Sequence, residues 1–202
     1  MPLQNRVTPD MQIVAESWRG DFMGNRGGRI HDPETRTLLK RKWASKRWII
    51  CVKEFKNRQR TLMGKSYTEL FFLDEVSALA AGHRPCFECR RKSANSFAKA
   101  WVKTYGKPNG SLADAMDKIL HKERTENPQK STFEQVKDLP DGVMIKINDA
   151  YFAKKEKQYL KWSGGGYIKA KLPQGAVFLL TPVSIVSALK NGYEPVWHES
   201  AF

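Results

Sequence analysis

Two cysteines separated by two residues are the strongest candidates for chemistry in this sequence. Residues 79–92 read LAAGHRPCFECRRK and contain Cys86 and Cys89. A tight C-x-x-C turn lets both thiolates face one tetrahedral ion, which then needs two further ligands. Redox dithiols share this spacing but usually follow a buried strand, whereas a helix is predicted immediately upstream here. The pattern favours a metal site over reduced structural thiols or a redox centre, and it leaves all three open.

The remaining ligands of a metal site must come from elsewhere in the chain. Cys51, the third cysteine, lies upstream on a predicted strand. Histidine completes many zinc sites, and the nearest candidates are His83, which precedes the cysteine pair, and His31 in the segment GGRIHDP. Under the metal hypothesis, Cys51, Cys86 and Cys89 form a zinc site with His31 or His83 as the fourth ligand.

A second hypothesis places the chemistry at His31 and Asp32, which follow a glycine-rich segment. A histidine beside a carboxylate could act as the general base of a small metal-dependent nuclease or related nucleic-acid enzyme, with the cysteines only bracing the fold. The sequence contains no G-x-S-x-G elbow, P-loop or H-E-x-x-H motif. Whether the protein is an enzyme therefore stays open.

Charge is the strongest global signal. The 202 residues include 35 Lys and Arg against 21 Asp and Glu, for a formal net charge of +14. Such an excess favours a polyanionic partner, with DNA ahead of RNA and both ahead of a membrane surface. Basic residues that we expect to contact phosphates are Arg41, Lys42, Arg47, Arg58, Arg60, Arg90 and Arg91. Trp43 and Trp48 lie among them, and such rings can stack on bases, although core packing is the better interpretation of Trp48.

Composition also bounds the class of protein. No stretch of about 18 apolar residues occurs, and the first ten residues lack the basic and apolar segments of a secretory signal. Three cysteines form no disulfide framework, which is typical of reducing compartments. We expect a cytoplasmic protein without a membrane partner, and no pattern indicates its oligomeric state.

Local patterns predict the elements around the cysteine pair. Residues 48–55 and 67–73 are rich in β-branched and aromatic types and predict two strands. Asp74 is a suitable N-cap for a helix that Gly82 ends. Apolar residues then recur at three- and four-residue steps over residues 94–105, which predicts a helix with one buried face. Residues 1–35 show little periodicity and predict an irregular arm.

The last third of the chain has a different pattern. Short alternating segments separated by Asp-Gly, Gly-Gly-Gly and Pro-Gln-Gly predict a small antiparallel sheet, and a helix capped at Thr181 and ended at Asn191 would close it. The predicted fold class is α+β, with an α/β core in residues 1–125 and a β-rich region in residues 126–202.

Residues 48–91, and above all FFLDEVSALAAGHRPCFECRR, resemble the metal-binding domain of the Ada DNA repair proteins and the wider Ada-like family. An aromatic strand, a helix ending A-x-A-A-G, and R-P-C-x-x-C occur in the same order. The resemblance implies an Ada-like core, half of a four-thiolate zinc site at Cys86 and Cys89, and a role in DNA repair or processing. In that family an upstream cysteine pair completes the site, and one of its members accepts a methyl group from a DNA phosphotriester. Only Cys51 lies upstream in this chain, so we expect DNA binding without methyl transfer.

Overall fold

The computed structural model describes residues 1–59, 61–126 and 129–202 and confirms the α+β fold class. Within these ranges the chain forms two six-stranded sheets with helices packed between and around them. The strands of the first sheet are β1 (Arg6–Val7), β2 (Ile13–Val14), β3 (Phe22–Arg26), β4 (Trp48–Cys51), β5 (Leu70–Phe72) and β6 (Arg84–Pro85). Their order in space is β2-β1-β5-β3-β4-β6.

The prediction of an irregular N-terminal arm is wrong. Residues 1–35 supply β1, β2 and β3, and β3 lies inside the sheet between β5 and β4. Four of the five residues of β3 are buried, so the strand shows no alternation of polar and apolar residues. Gly24 suits this position, because a methyl group there would lie 2.2 Å from the carbonyl oxygen of Ile49 on β4.

Three helices pack beside the first sheet and the cysteine pair: α1 (Glu75–Ala80), α2 (Arg91–Tyr105) and α3 (Leu112–Thr125). The next helix, α4 (Phe133–Lys137), packs through Val136 on the second sheet instead. Asp74 caps α1 as predicted, and its carboxylate accepts a hydrogen bond from the backbone N–H of Ser77. Gly82 follows α1 with a φ of 75°, a left-handed conformation that favours glycine. The buried face of α2 includes Phe97 and Trp101.

The second sheet confirms the predicted antiparallel region. Its strands are β7 (Gln129–Ser131), β8 (Met144–Ile147), β9 (Ala150–Lys155), β10 (Gln158–Ser163), β11 (Gly166–Ala170) and β12 (Val177–Leu179). The order is β11-β10-β9-β8-β12-β7, and each neighbouring pair is antiparallel.

The last helix, α5 (Val183–Lys190), packs against α2. Pro182 occupies its N-cap instead of Thr181, whose hydroxyl oxygen accepts a hydrogen bond from the backbone N–H of Met144. A short 3₁₀ helix, Glu199–Ala201, follows near the end of the chain.

Hydrophobic clusters cross the boundary predicted at residues 125–126. One joins Phe97 and Trp101 of α2 to Ile185 of α5, and another joins Leu73 to Met144 of β8. The boundary separates the two sheets, yet the clusters bury side chains from both sides of it. Among the described residues, no helix has the length and apolar character needed to cross a membrane.

Candidate metal centre

The three cysteines converge at one end of the first sheet. The sulfur atoms of Cys51, Cys86 and Cys89 all lie within 4.8 Å of one another. Cys51 ends β4, and β4 pairs in parallel with β6, which leads into the cysteine pair. The backbone N–H of Cys86 continues this pairing with a 2.9 Å hydrogen bond to the carbonyl oxygen of Ile50. Strand pairing therefore delivers the third thiol to the other two.

The C-x-x-C turn is folded around the sulfur of Cys86. The backbone N–H of Glu88 donates to this sulfur over 3.4 Å, and the N–H of Arg90 donates to the carbonyl oxygen of Cys86 over 3.0 Å. Hydrogen bonds from the thiols of Cys51 and Cys89 lower the pKa of Cys86. Hydrogen bonding to Cys86 and Cys89, together with burial, raises the pKa of Cys51. The turn thus favours negative charge on Cys86.

The cluster is largely shielded from solvent. Cys51 and Cys86 are 8% and 7% exposed, whereas Cys89 is half-buried. Apolar side chains, including Ile49 and Phe71, pack around them. Tetrahedral zinc with Zn–S bonds of about 2.3 Å places its sulfur ligands about 3.8 Å apart, which the observed spacing accommodates. The three residues therefore fit a thiolate-bound metal ion.

Neither predicted histidine completes the site. Among the described residues, the three cysteines are the only His, Cys, Asp or Glu side chains whose ligand atoms meet in this cluster. The imidazole of His83 is fully buried between the rings of Trp48 and Phe72, whose centroids lie 5.0 and 4.7 Å away. His31 is buried elsewhere, beside Gly64 and Thr68. Histidine ligation of this metal site was therefore wrongly predicted.

His31 and Asp32 are not arranged as a catalytic pair. Nε2 of His31 lies 2.7 Å from the carbonyl oxygen of Gly64, which can only accept, so this nitrogen carries the proton. Nδ1 then accepts from the hydroxyl of Thr68 over 2.6 Å, and both ring nitrogens are occupied. The Asp32 carboxylate accepts from the backbone N–H groups of Thr35 and Glu34, and these hydrogen bonds lower the pKa of Asp32. Both side chains stabilise their loops.

No protein-family model, curated protein or solved structure matches this chain. The resemblance of residues 48–91 to the Ada-like family stays a prediction that rests on the residues quoted above. Geometry and charge within the chain itself therefore carry the functional inference.

Most of the predicted phosphate-contacting residues face solvent. Arg41, Lys42, Arg47, Arg58 and Arg91 are exposed, and Arg60 lies outside the described residues. Two of them form exposed ion pairs, Arg47 with Asp114 at 3.2 Å and Arg58 with Glu88 at 2.8 Å. Exposed pairs of this kind contribute little stability, so both cations can exchange their partner for a phosphate.

Arg90 is the exception, and its assignment to the exposed basic surface was wrong. The side chain is 5% exposed, and its guanidinium donates two hydrogen bonds to the carboxylate of Glu75, at 2.6 and 2.9 Å. The guanidinium also lies over the ring of Phe22, 4.4 Å from its centroid. Arg90 therefore joins α2 to α1, although its neighbour Arg91 is exposed.

Three other exposed lysines lie near the cysteines in sequence, outside the set expected above to contact phosphates. Lys53 and Lys56 follow Cys51, and Lys92 follows Cys89. Their closeness in sequence to possible metal ligands is the signal that could have indicated that they share a surface with the metal site. With Arg58 and Arg91 they form what we call the cysteine-flanking cations, which are Lys53, Lys56, Arg58, Arg91 and Lys92.

Proposed function

We propose that this protein binds nucleic acid, with DNA as the partner, on a surface organised by a zinc ion held by Cys51, Cys86 and Cys89. The observation that carries the proposal is the convergence of three thiols from two separate segments, each of which continues into exposed cations. The resemblance to the Ada-like family adds DNA repair or processing as the setting. Methyl transfer is not included, since only Cys51 lies where the family carries a cysteine pair.

Zinc would act here as a cross-link between two surface segments. Cys51 anchors the start of the segment after β4, and Cys86 and Cys89 anchor the start of α2. When bound, the ion supplies a positive charge that balances buried thiolates and fixes their segments in one geometry. Three protein ligands leave a fourth position for water or another ligand.

The cysteine-flanking cations supply the electrostatic part of the proposal. They belong to the two segments that zinc would join, and the Arg58–Glu88 ion pair already bridges these segments. Cations held on one surface displace condensed counterions from a nucleic-acid backbone, which makes affinity strongly dependent on salt. The formal net charge of +14 favours the same partner at long range.

A salt titration of duplex DNA binding by fluorescence anisotropy tests the proposal. The logarithm of affinity should fall with the logarithm of salt concentration by about 0.9 per phosphate contacted. Replacing Arg58, Arg91 and Lys92 by alanine should make the slope shallower by the amount that about two to three phosphate contacts contribute. Removing zinc with a chelator should weaken binding, because the two segments lose their cross-link.

The matched control replaces Lys157, Lys161 and Lys169, three exposed lysines on or beside β10 and β11 of the second sheet. This variant should keep the wild-type slope. A larger effect in the control would move the binding surface to the second sheet. Binding weaker than about 10⁻⁴ M at physiological salt, below the usual non-specific range, would contradict the proposal as a whole.

A further inference from the structure

Two buried arginines in this protein form no salt bridge with a carboxylate among the described residues. Arg26 ends β3 and is 3% exposed. Its guanidinium donates to the backbone carbonyl oxygen of Met11 over 2.7 Å and to that of Lys42 over 3.5 Å, and its Nε has no hydrogen-bond partner. A buried guanidinium without a counterion is costly, because its charge is neither solvated nor neutralised.

Arg124, in the last turn of α3, is the second. It is 7% exposed and donates to the carbonyl oxygens of Gly82 and Lys46, at 2.8 and 3.0 Å, while its Nη2 has no hydrogen-bond partner within the part of the chain that the structure describes. Gly82 makes room for it, since a methyl group there would lie 2.9 Å from Cγ of Arg124. The position is therefore built to hold an arginine.

Both guanidinium groups lie over one indole ring. Their central carbons are 4.1 Å (Arg26) and 4.6 Å (Arg124) from the ring centroid of Trp48. Burial, together with the charge of Arg124, lowers the pKa of Arg26 to about 9. Burial likewise lowers the pKa of Arg124 to about 9, although the carboxylates of Asp117 and Glu123 act in the opposite direction from a distance. Both groups remain charged at neutral pH, so two positive charges share a confined region.

Other buried arginines of the chain provide an internal comparison. Arg84 donates two hydrogen bonds to the carboxylate of Asp117, at 2.8 and 2.6 Å, and Arg90 pairs in the same way with Glu75. The fold thus supplies a bidentate carboxylate at two sites and omits it at Arg26 and Arg124. An anion from outside the chain would fill that role.

Arg26, Arg124 and Trp48 line a cavity of about 860 Å³ between the first sheet and the segment of residues 38–43. Trp43, 37% exposed, lines the same cavity. Other lining residues include Gln4, Ile13, Leu38, Lys40, Arg41 and Lys42. The carboxylate of Asp10 also lies there, but it accepts hydrogen bonds from Thr8 and, at 3.2 Å, from Lys146.

We propose that this cavity binds a nucleotide, with its phosphate group at Arg26 and Arg124 and its base against Trp43. Arginine forks match phosphate oxygens, and an indole face accepts any base by stacking. The volume is that of a site for a small organic ligand rather than for a bare phosphate ion. The site goes beyond the metal-centred proposal, because it uses none of the cysteines or their flanking cations.

Calorimetric titration and thermal unfolding with deoxyadenosine monophosphate test the inference. The nucleotide should bind and raise the unfolding temperature, whereas inorganic phosphate should bind more weakly and deoxyadenosine, which lacks the phosphate, should have no effect. Trp43→Ala should weaken nucleotide binding roughly tenfold and leave phosphate binding unchanged. Arg124→Lys, which keeps the charge but loses the fork, should weaken both ligands roughly tenfold.

Tyr105→Ala, at an exposed aromatic residue of α2 outside the cavity, is the control for Trp43→Ala and should bind normally. Single-stranded oligonucleotides with and without a terminal phosphate separate two sources of the ligand. If the phosphorylated strand binds more tightly than the free nucleotide, the ligand is the end of a nucleic-acid strand. If the free nucleotide binds as tightly as the phosphorylated strand, the ligand is the nucleotide itself.

Failure of both phosphate and nucleotide to bind at millimolar concentration would overturn the inference. Equal binding of deoxyadenosine and its monophosphate would also overturn it, because the buried arginines would then play no part. Chelated protein should still bind the nucleotide, so this result is independent of the metal centre.

Discussion

Cys51 and Cys86 differ from ordinary buried cysteines because each has two other thiols as neighbours. An isolated buried cysteine packs as a small apolar residue, and ionising it is unfavourable. In this cluster three sulfurs share one apolar enclosure, where a divalent cation can neutralise the thiolates together. A metal ion bound by these three thiolates would therefore stabilise the fold.

Cys86→Ser should remove this coupling. We expect the bound zinc to fall from about one equivalent to well below half, and the unfolding temperature to decrease with it, because the site loses one of its three thiolate ligands. Elemental analysis of the purified protein and thermal unfolding with and without chelator measure both effects.

His83→Gln is the matched comparison for Cys86→Ser, since His83 precedes the cysteine pair but lies outside the sulfur cluster. This variant should keep its zinc. Loss of zinc from a folded His83→Gln protein would restore histidine as the fourth ligand. Full zinc occupancy in Cys86→Ser would exclude the site altogether.

At the scale of the elements, β4 is the structure that brings Cys51 to the cysteine pair. It lies between β3 and β6, so its register with these two strands determines the position of Cys51, its last residue. The close approach of β3 and β4 at Gly24 is part of that register, since Gly24 pairs with Ile50. Gly24 therefore affects the candidate metal site indirectly, because it permits the β3–β4 spacing that positions Cys51.

Gly24→Ala should therefore impair both folding and metal binding. The added methyl group would lie 2.2 Å from the carbonyl oxygen of Ile49 and 2.9 Å from the Phe72 ring, so β3 and β4 must separate. We expect a loss of about 1–3 kcal/mol in the free energy of unfolding, as for other overpacked sites, and weaker zinc binding. Denaturant titration and competition with a chromogenic chelator measure these two quantities.

The control for Gly24→Ala is Gly165→Ala, in the turn between β10 and β11. A methyl group at this exposed glycine comes no closer than 3.9 Å to its nearest neighbour, the hydroxyl oxygen of Ser163. The control should retain wild-type stability and zinc affinity. Equal behaviour of the two variants would show that the β3–β4 spacing does not control the metal site.

At the scale of the whole molecule, one buried carboxylate ties the end of the chain to the cysteine-bearing region. Glu75 is fully buried and accepts two hydrogen bonds from Arg90, which follows Cys89. The hydroxyl of Tyr193 and the backbone N–H of Val196 also donate to this carboxylate, at 2.6 and 2.9 Å. With the shared hydrophobic clusters, these contacts couple the two sheets.

We expect the protein to unfold in a single cooperative transition despite its two sheets. Side chains of α2 and α5 would be exposed together if either half unfolded, so partial unfolding is unfavourable. Circular dichroism, tryptophan fluorescence and calorimetry should report the same midpoint, and the calorimetric and van't Hoff enthalpies should agree. Two separate transitions would show that the halves are independent domains.

The sequence by itself determined features that depend on neighbouring residues. The cap at Asp74, the left-handed turn at Gly82, the buried stripe of α2 and the antiparallel second region follow from periodicity and turn chemistry over short spans. The C-x-x-C turn belongs to this group, because its geometry is local. Net charge likewise requires no tertiary information.

Only the tertiary structure decided which distant side chains meet. Cys51 joins the cysteine pair through strand pairing, whereas His31 and His83 are buried elsewhere. Arg90 and Arg91 are adjacent and chemically identical, yet only Arg90 faces Glu75, because Arg90 is the N-cap of α2 and Arg91 is its first helical residue, so their side chains leave the backbone in different directions. Each of these outcomes depends on partners far along the chain, which local patterns do not specify.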